Sequence, residues 1–98
     1  MDAELKAKWI KALRSGEFEQ ATTYLQTRHG YCCLGVLCVV QGKKPKGFLP
    51  KLHDRMTSEL PEALRGGLDT VDLETLADMN DGGKSFSEIA DYIEQHLG

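Results

Sequence analysis

The most apolar stretch of the chain is Cys32-Cys33-Leu34-Gly35-Val36-Leu37-Cys38-Val39-Val40, at residues 32–40. Apolar side chains fill nearly every position, so periodicity alone does not distinguish a buried helix from a buried strand. Gly42 follows where a helix would end, and we therefore predict a helix. Because this helix is apolar nearly all round, we expect it to run through the centre of the core. Gly35 would let a neighbouring element approach it closely.

The N-terminal segment is typical of an amphipathic helix from about Ala3 to Ser15. Gly16 lies where a left-handed residue commonly ends a helix. Trp9, the chain's single tryptophan, belongs to the apolar stripe and is predicted to be a core anchor. The stripe repeats at helical spacing and comprises Leu5, Trp9, Ala12 and Leu13.

Two further helices are predicted in the last third of the chain. Asp72 can cap a helix that runs to about Asn80, with Val71 and Leu76 as a hydrophobic staple. The sequence Ser85-Phe86-Ser87-Glu88 is a capping box that opens the final helix. The apolar face predicted for this helix is Phe86, Ile89, Ala90, Ile93 and Leu97, and the predicted exposed acidic residues are Glu88, Asp91 and Glu94.

The segment from Phe18 to Tyr31 contains β-branched and aromatic residues followed by Arg28-His29-Gly30, which is typical of a strand and turn. Residues 43–52 are predicted to be a loop, and one short helix is predicted around 61–65. The sequence thus predicts a single small α+β domain over residues 1–98. It would be mainly helical, with about four helices and a short antiparallel β-hairpin around residues 18–32.

The composition is that of one soluble globular domain. The chain has 98 residues, of which 41% are hydrophobic and 28% charged, with a net charge of −3. No apolar run approaches the roughly 20 residues that span a bilayer, and the N-terminus lacks the layout of a signal peptide. We therefore expect a cytoplasmic protein that does not contact membranes.

Charge is distributed unevenly between the two halves of the chain. Residues 1–56 hold ten basic and five acidic side chains, a charge of +5, whereas residues 57–98 hold two basic and ten acidic side chains, a charge of −8. Either the halves face each other or are simply solvated, or a basic surface attracts an anion.

Three cysteines and one histidine lie close together in the sequence: His29, Cys32, Cys33 and Cys38. Structural zinc sites usually use two separated CxxC-type pairs, and a second pair is missing here. We therefore predict no metal and no cofactor. The thiols are predicted to be buried and inert, with redox sensing as the alternative.

The segment Asn80-Asp81-Gly82-Gly83-Lys84-Ser85 resembles several ligand-binding loops without matching one. A phosphate-binding P-loop would need glycine where Asp78 stands, and a calcium loop would need a carboxylate at Ile89. Backbone N–H groups beside Lys84 could still attract an anion weakly. Two predicted helices joined by a short turn are typical of a DNA-binding helix-turn-helix, but DNA would repel the acidic second helix. On electrostatic grounds, we therefore predict no specific DNA binding.

Three blocks of the sequence carry a resemblance to a known group of proteins. They are Trp9-Ile10-Lys11-Ala12-Leu13-Arg14-Ser15-Gly16, Gly30-Tyr31-Cys32-Cys33-Leu34-Gly35-Val36-Leu37-Cys38 and Met79-Asn80-Asp81-Gly82-Gly83-Lys84-Ser85-Phe86. Together they resemble a family of small, functionally uncharacterised proteins encoded by tailed phages and prophages. The segment Glu19-Gln20-Ala21-Thr22-Thr23 departs from the more basic, glycine-containing pattern of that group. The resemblance implies an origin and assigns no reaction.

The sequence lacks the usual hydrolase motifs, such as a Ser-His-Asp layout or HExxH, and we predict no enzymatic activity. The resemblance to small phage accessory proteins implies that this chain acts by binding a host protein or an anionic small molecule such as a nucleotide signal, as some phage proteins do to counter host defence. For an anionic ligand, the predicted pocket residues are Arg14, Tyr24, Arg28, Tyr31 and Lys84. The alternative is a weak nucleic-acid-binding regulator with a helix-turn-helix-like C-terminal corner, whose basic face would comprise Lys6, Lys11, Arg14 and residues 43–51.

Overall fold

The computed structural model describes residues 1–22, 30–42 and 65–97. Within these ranges the chain forms four α-helices: α1 (Ala3–Arg14), α2 (Cys33–Val40), α3 (Thr70–Asp81) and α4 (Phe86–His96). Helix α1 packs against α2 and α4, and α3 packs against the same two helices. Residues 33–38 of α2 are all buried, which confirms that the apolar stretch is a central helix. Gly42 follows α2 with a φ of +81°.

Helix α1 begins where Asp2 caps it, since the Asp2 carboxylate accepts a hydrogen bond of 2.9 Å from the Leu5 N–H. Trp9 and Leu13 are buried, which confirms the predicted core stripe at these two positions. Gly16 follows the helix with a φ of +77°, as predicted. The N-terminal helix therefore forms at the predicted place and with the predicted side toward the core.

The first residue of α2 is held from two sides. Trp9 Nε1 donates a hydrogen bond of 2.9 Å to the Cys33 carbonyl, and the Cys33 N–H donates one of 3.2 Å to Asn80 Oδ1. The first N–H groups of a helix have no partner within the helix, so the buried Asn80 supplies an acceptor that α2 itself cannot. The Asn80 amide nitrogen in turn donates to the Ala21 carbonyl at 2.8 Å. Asn80 thereby joins α3, α2 and the segment after α1.

The predicted antiparallel hairpin around residues 18–32 is wrong, and with it the α+β class: the described part of the chain is a small, mainly helical domain. Gln20 and Tyr31 form only an isolated bridge, and it is parallel. Two or three residues of pairing are too few to make a stable strand pair. The Gln20 side chain instead bonds the α3–α4 corner, donating to the Lys84 carbonyl at 2.7 Å and accepting from the Phe86 N–H at 3.1 Å. Residues 23–29 of the predicted hairpin lie outside the described ranges.

Helix α3 begins earlier than predicted. Its N-cap is Asp69, whose carboxylate accepts a hydrogen bond of 2.8 Å from the Asp72 N–H, so Asp72 lies inside the helix. Val71 is 69% exposed and forms no staple. With Asp69 as the cap, the staple positions fall on Leu68 and Leu73, which are both buried. Burial of these two leucines explains why the earlier aspartate is the cap.

Helix α4 begins at its predicted capping box and confirms both of its predicted faces. Ser85 and Glu88 form the capping box, with reciprocal hydrogen bonds of 3.1 and 3.0 Å. All five predicted core residues are buried, and Glu88, Asp91 and Glu94 are exposed. The predicted loop at 43–52 and residues 61–64 of the predicted short helix lie outside the described ranges, and Arg65 lies in a turn. None of the helices described is long and apolar enough to cross a membrane.

Replacing the buried amide should weaken the whole domain. We expect Asn80→Ala to lower the free energy of unfolding by about 2–4 kcal/mol, because the Cys33 N–H and the Ala21 carbonyl lose their partner and a cavity remains. Urea denaturation measures this change. Val71→Ala, at an exposed position of the same helix, should be neutral or slightly stabilising because alanine favours a helix more than valine does. A loss no larger than that of the Val71 variant would contradict the role given to Asn80.

The capping box gives a smaller, local prediction. Ser85→Ala should cost about 1 kcal/mol of stability, because the Glu88 N–H loses its side-chain acceptor. Ser87→Ala removes a hydroxyl from the same first turn at an exposed position and should change stability by less than about 0.5 kcal/mol. Thermal unfolding of both variants compares them directly, and equal melting temperatures would show that the cap contributes nothing.

Candidate functional site

An open groove runs along one side of α1 and reaches the last turns of α4. Its volume is about 740 Å³. We call it the α1 groove, and its lining residues are Ala3, Lys6, Ala7, Ile10, Lys11, Arg14, Ser15 and Glu94. Seven of these eight residues belong to α1 or to its C-cap.

The helical repeat places an apolar strip at the base of the groove. Ala3, Ala7 and Ile10 recur at intervals of four and three residues, so they lie on one side of α1. Ile10 is only 8% exposed, whereas the two alanines are exposed. Trp9 and Leu13 of the same helix are buried in the core. Helix α1 therefore carries one apolar face toward the core and a narrower one toward the groove.

Basic side chains form the rim of the groove, and two of them bond α4. Arg14 Nη2 lies 2.6 Å from Asp91 Oδ1 and 3.5 Å from Glu94 Oε1, and these hydrogen bonds raise the pKa of the guanidinium. Lys6 Nζ donates a bond of 3.4 Å to the Glu94 carbonyl. Lys11 makes no ion pair within the described ranges. The basic and acidic halves of the chain thus meet along α1 and α4, while the groove lining keeps three cations against one carboxylate.

The residues predicted to form an anion pocket have different neighbours. Arg14 lies in the α1 groove. Tyr31 packs edge-on against Phe18, with ring centroids 5.7 Å apart. Lys84 Nζ lies 3.8 Å from a Glu88 oxygen. Tyr24 and Arg28 lie outside the described residues, so a pocket shared by all five stays a prediction.

The apolar base of the groove gives little signal in the sequence. Lys6, Lys11 and Arg14 were expected on a basic face, but the strip of Ala3, Ala7 and Ile10 was not recognised. Alanine is common on exposed helix surfaces because it is the best helix former, so the two alanines give little signal. A helical-wheel count that started from Ile10, which is adjacent to the core tryptophan, could have found the strip.

The three thiols lie in the core, which confirms their predicted burial. The Cys32 sulfur accepts a hydrogen bond of 3.4 Å from the Gly35 N–H and so caps α2, and the Cys33 thiol donates one of 3.6 Å to the Leu76 carbonyl. Desolvation raises the pKa of Cys32 to about 12, that of Cys38 to about 11 and that of Cys33 well above its ordinary value. Little thiolate is therefore present at neutral pH, and these cysteines are poor nucleophiles and poor metal ligands. Among the described residues, which exclude His29, no three His, Cys, Asp or Glu side chains are grouped so that they could hold a metal ion.

The start of α4 has little capacity left for an anion. The Ser85 N–H donates to Glu88, the Glu88 N–H donates to Ser85, and the Phe86 N–H donates to Gln20. The hydrogen bond from the Ser85 N–H lowers the pKa of Glu88, so a carboxylate stands at this helix end. An anion bound here would have to displace these contacts and approach a negative charge.

Burial of the thiols makes stability fall at alkaline pH. Their pKa values are raised in the folded state, so the stabilisation is complete below the ordinary thiol pKa of 9.0 and is lost as the pH rises toward 11–12. Each thiol should contribute at most about 1.4 kcal/mol per pH unit above pH 9. Urea denaturation at pH 7.0, 9.5 and 10.5 measures this decline.

The matched variant for this measurement is Cys38→Ala. Lysine and tyrosine ionise equally in both proteins, so the difference in slope isolates one thiol. We expect the variant to lose less stability between pH 9.5 and 10.5 than the natural chain. Identical slopes, or fast labelling of the thiols by a disulfide reagent in the native protein at pH 7, would contradict their burial as protonated groups.

Comparison with known proteins identifies the family of this chain. A family model described as Domain of unknown function (DUF8296) matches residues 1–50, which contain α1, α2 and every groove-lining residue except Glu94. Neither the curated proteins nor the solved structures give a significant match. The family match covers half of the 98 residues. This chain belongs to the DUF8296 family.

Proposed function

We propose that this chain is a non-enzymatic phage or prophage accessory protein that acts in the host cytoplasm by binding a host protein through the α1 groove. The observation that carries the proposal is the pairing of an apolar base, formed by Ala3, Ala7 and Ile10, with a cationic rim. The phage origin rests on the resemblance of the three sequence blocks.

A protein partner suits the groove better than a small anion does. Sites for small ligands are usually concave and enclose most of the ligand, with a few convergent polar groups. The α1 groove is open and mainly apolar, and Lys6 and Arg14 on its rim already bond α4. A nucleotide bound here would keep much of its surface in water, whereas a protein surface could cover the apolar strip.

A binding role without catalysis is supported by the chemistry of the strongest nucleophiles in the sequence. The cysteine thiols are buried and their pKa values are raised, so they do not act as activated nucleophiles at neutral pH. In the described part of the chain, Asp91 and Glu94 of α4 pair with Arg14, and Glu88 caps the helix.

The alternative of nucleic-acid binding has less support. The exposed side of α4, which would be the recognition helix of a helix-turn-helix, carries Glu88, Asp91 and Glu94. DNA carries one negative charge per roughly 1.7 Å and would repel these carboxylates. Arg14, expected on a basic face, is bonded to Asp91 and Glu94 and neutralises part of that acidic surface. It could contact DNA only by breaking these bonds.

Site-specific photo-crosslinking tests the proposal. A photoreactive amino acid is placed at Ala7 in the groove or, as the matched control, at the exposed Val71 of α3. In lysate of the bacterium that carries the gene, we expect one host protein to crosslink from position 7 and not from position 71. The captured protein is then identified by mass spectrometry, produced pure and titrated against the natural chain and Lys11→Glu.

Crosslinking and affinity together decide whether the groove binds a host protein. Loss of at least tenfold in affinity on Lys11→Glu supports the groove as the binding surface. Equal crosslinking from both positions, or none, overturns the protein partner. In that case, calorimetry with a panel of nucleotides decides whether the ligand is an anionic small molecule, and an absence of heat rejects that version too.

A further inference from the structure

We infer that the α1 groove binds an acidic amphipathic α-helix of about three turns, presented by the partner protein. This inference rests on the proposed function and deepens it by naming the chemistry of the partner. Four features of the groove lead to it: its length, the nature of its walls, its apolar base and its charge.

The length of the groove corresponds to a short helix. Its lining residues extend from Ala3 to Ser15 along α1. At about 1.5 Å per residue, this span is roughly 18 Å, which equals about twelve residues or three turns of a partner helix. Helices pack side by side at interaxial distances of about 8–10 Å, so a helix can lie along the groove.

The walls of the groove favour a helix over an extended peptide. The lining comes from helices, with seven of its eight residues from α1 and its C-cap and Glu94 from α4, and helices offer no strand edge. One carbonyl that borders the groove, that of Glu94, accepts a bond from Lys6. An extended peptide binds by main-chain hydrogen bonds to a strand edge, and these walls offer none. A helix brings its own backbone bonds and needs only side-chain contacts.

The base of the groove suits the apolar stripe of an amphipathic helix. The methyl groups of Ala3 and Ala7 are small, so a partner side chain can approach the backbone of α1 there. Ile10 closes the base against the core. A partner with apolar residues at positions i, i+3 or i+4, and i+7 would place them along this strip.

Charge complementarity selects an acidic partner. Lys6, Lys11 and Arg14 face two carboxylates, Glu94 in the lining and Asp91 beside it, so the groove keeps a net positive charge. Lys11 makes no ion pair within the described part of the chain, so it can bind a partner carboxylate without first losing a bond. Arg14 stays paired with Asp91 and Glu94, so Lys6 and Lys11 carry the positive charge that a partner meets. The chain's own residues 43–64 hold five basic and three acidic side chains, so their charge does not complement this rim.

Selection from a peptide library tests the inference without knowledge of the partner. The probe is a display library of 14-residue peptides on a helix-favouring frame, selected on the full chain with the Lys11→Glu protein as soluble competitor. We expect the enriched peptides to carry a net charge of −3 or lower and apolar residues at helical spacing. Enrichment of neutral, basic or extended sequences, or of none at all, overturns the inference.

Two charge-reversal variants locate the binding surface. Lys11→Glu changes the groove rim, whereas Lys8→Glu makes the same charge change on the same helix outside the groove lining, where Lys8 pairs with Glu4 at 3.7 Å. For a selected peptide measured by fluorescence anisotropy, we expect at least a tenfold loss of affinity on Lys11→Glu and less than a threefold loss on Lys8→Glu. Equal losses would show that only the overall charge matters and would overturn the site.

The two proposals fail in distinguishable ways. A host protein that crosslinks at position 7 but presents a basic or non-helical segment leaves the proposed function in place and overturns the acidic helix. Analytical ultracentrifugation could instead show a concentration-dependent dimer of the chain that the selected acidic peptides dissociate. That result would assign the groove to self-association and overturn both proposals. Absence of a crosslinked host protein together with absence of selected peptides also overturns both.

Discussion

The described structure depends on the backbone of Cys33, the first residue of α2. Its carbonyl accepts a hydrogen bond from the indole of Trp9, and its N–H donates to the amide of Asn80. These bonds join residues 24 and 47 positions apart in the chain, and both are buried. They fix α2 against α1 and α3 at one depth and one rotation, whereas apolar packing alone would tolerate several. A helix as uniformly apolar as α2 needs such directional contacts because its side chains do not define a unique face.

The same interaction sets which side of α1 faces the core. The Trp9 side of the helix is held there, and the other side carries the residues that line the groove. Arg14 pairs with Asp91 and Glu94 of α4 beside the groove. The groove is accordingly lined mainly by helical residues, and the packing of the core holds its base in place.

Local signals predicted the helices well and long-range contacts poorly. Residues 32–40 and the Ser85 capping box were recognisable because their evidence lies within one helix. The start of α3 was misplaced because Asp69 and Asp72 are three residues apart and either could cap; only the burial of Leu68 and Leu73 decides between them. The hairpin failed because the partners of Gln20 lie more than sixty residues away. The groove escaped notice because two exposed alanines in a helix look the same whether or not they border a concave surface.

The short parallel bridge after α1 has a consequence for how the family can vary. Ala21 and Tyr31 are joined by a backbone bond of 2.8 Å, and Gly30 lies so close to the Glu19 carbonyl that a larger residue would collide with it. Residues 19–21 and 30–31 therefore lie side by side. A relative could carry more or fewer residues between these two points without moving either, because the entropic cost of joining two fixed points grows slowly with the number of residues between them. This position is a natural place for homologues to acquire new sequence while keeping the same helical framework.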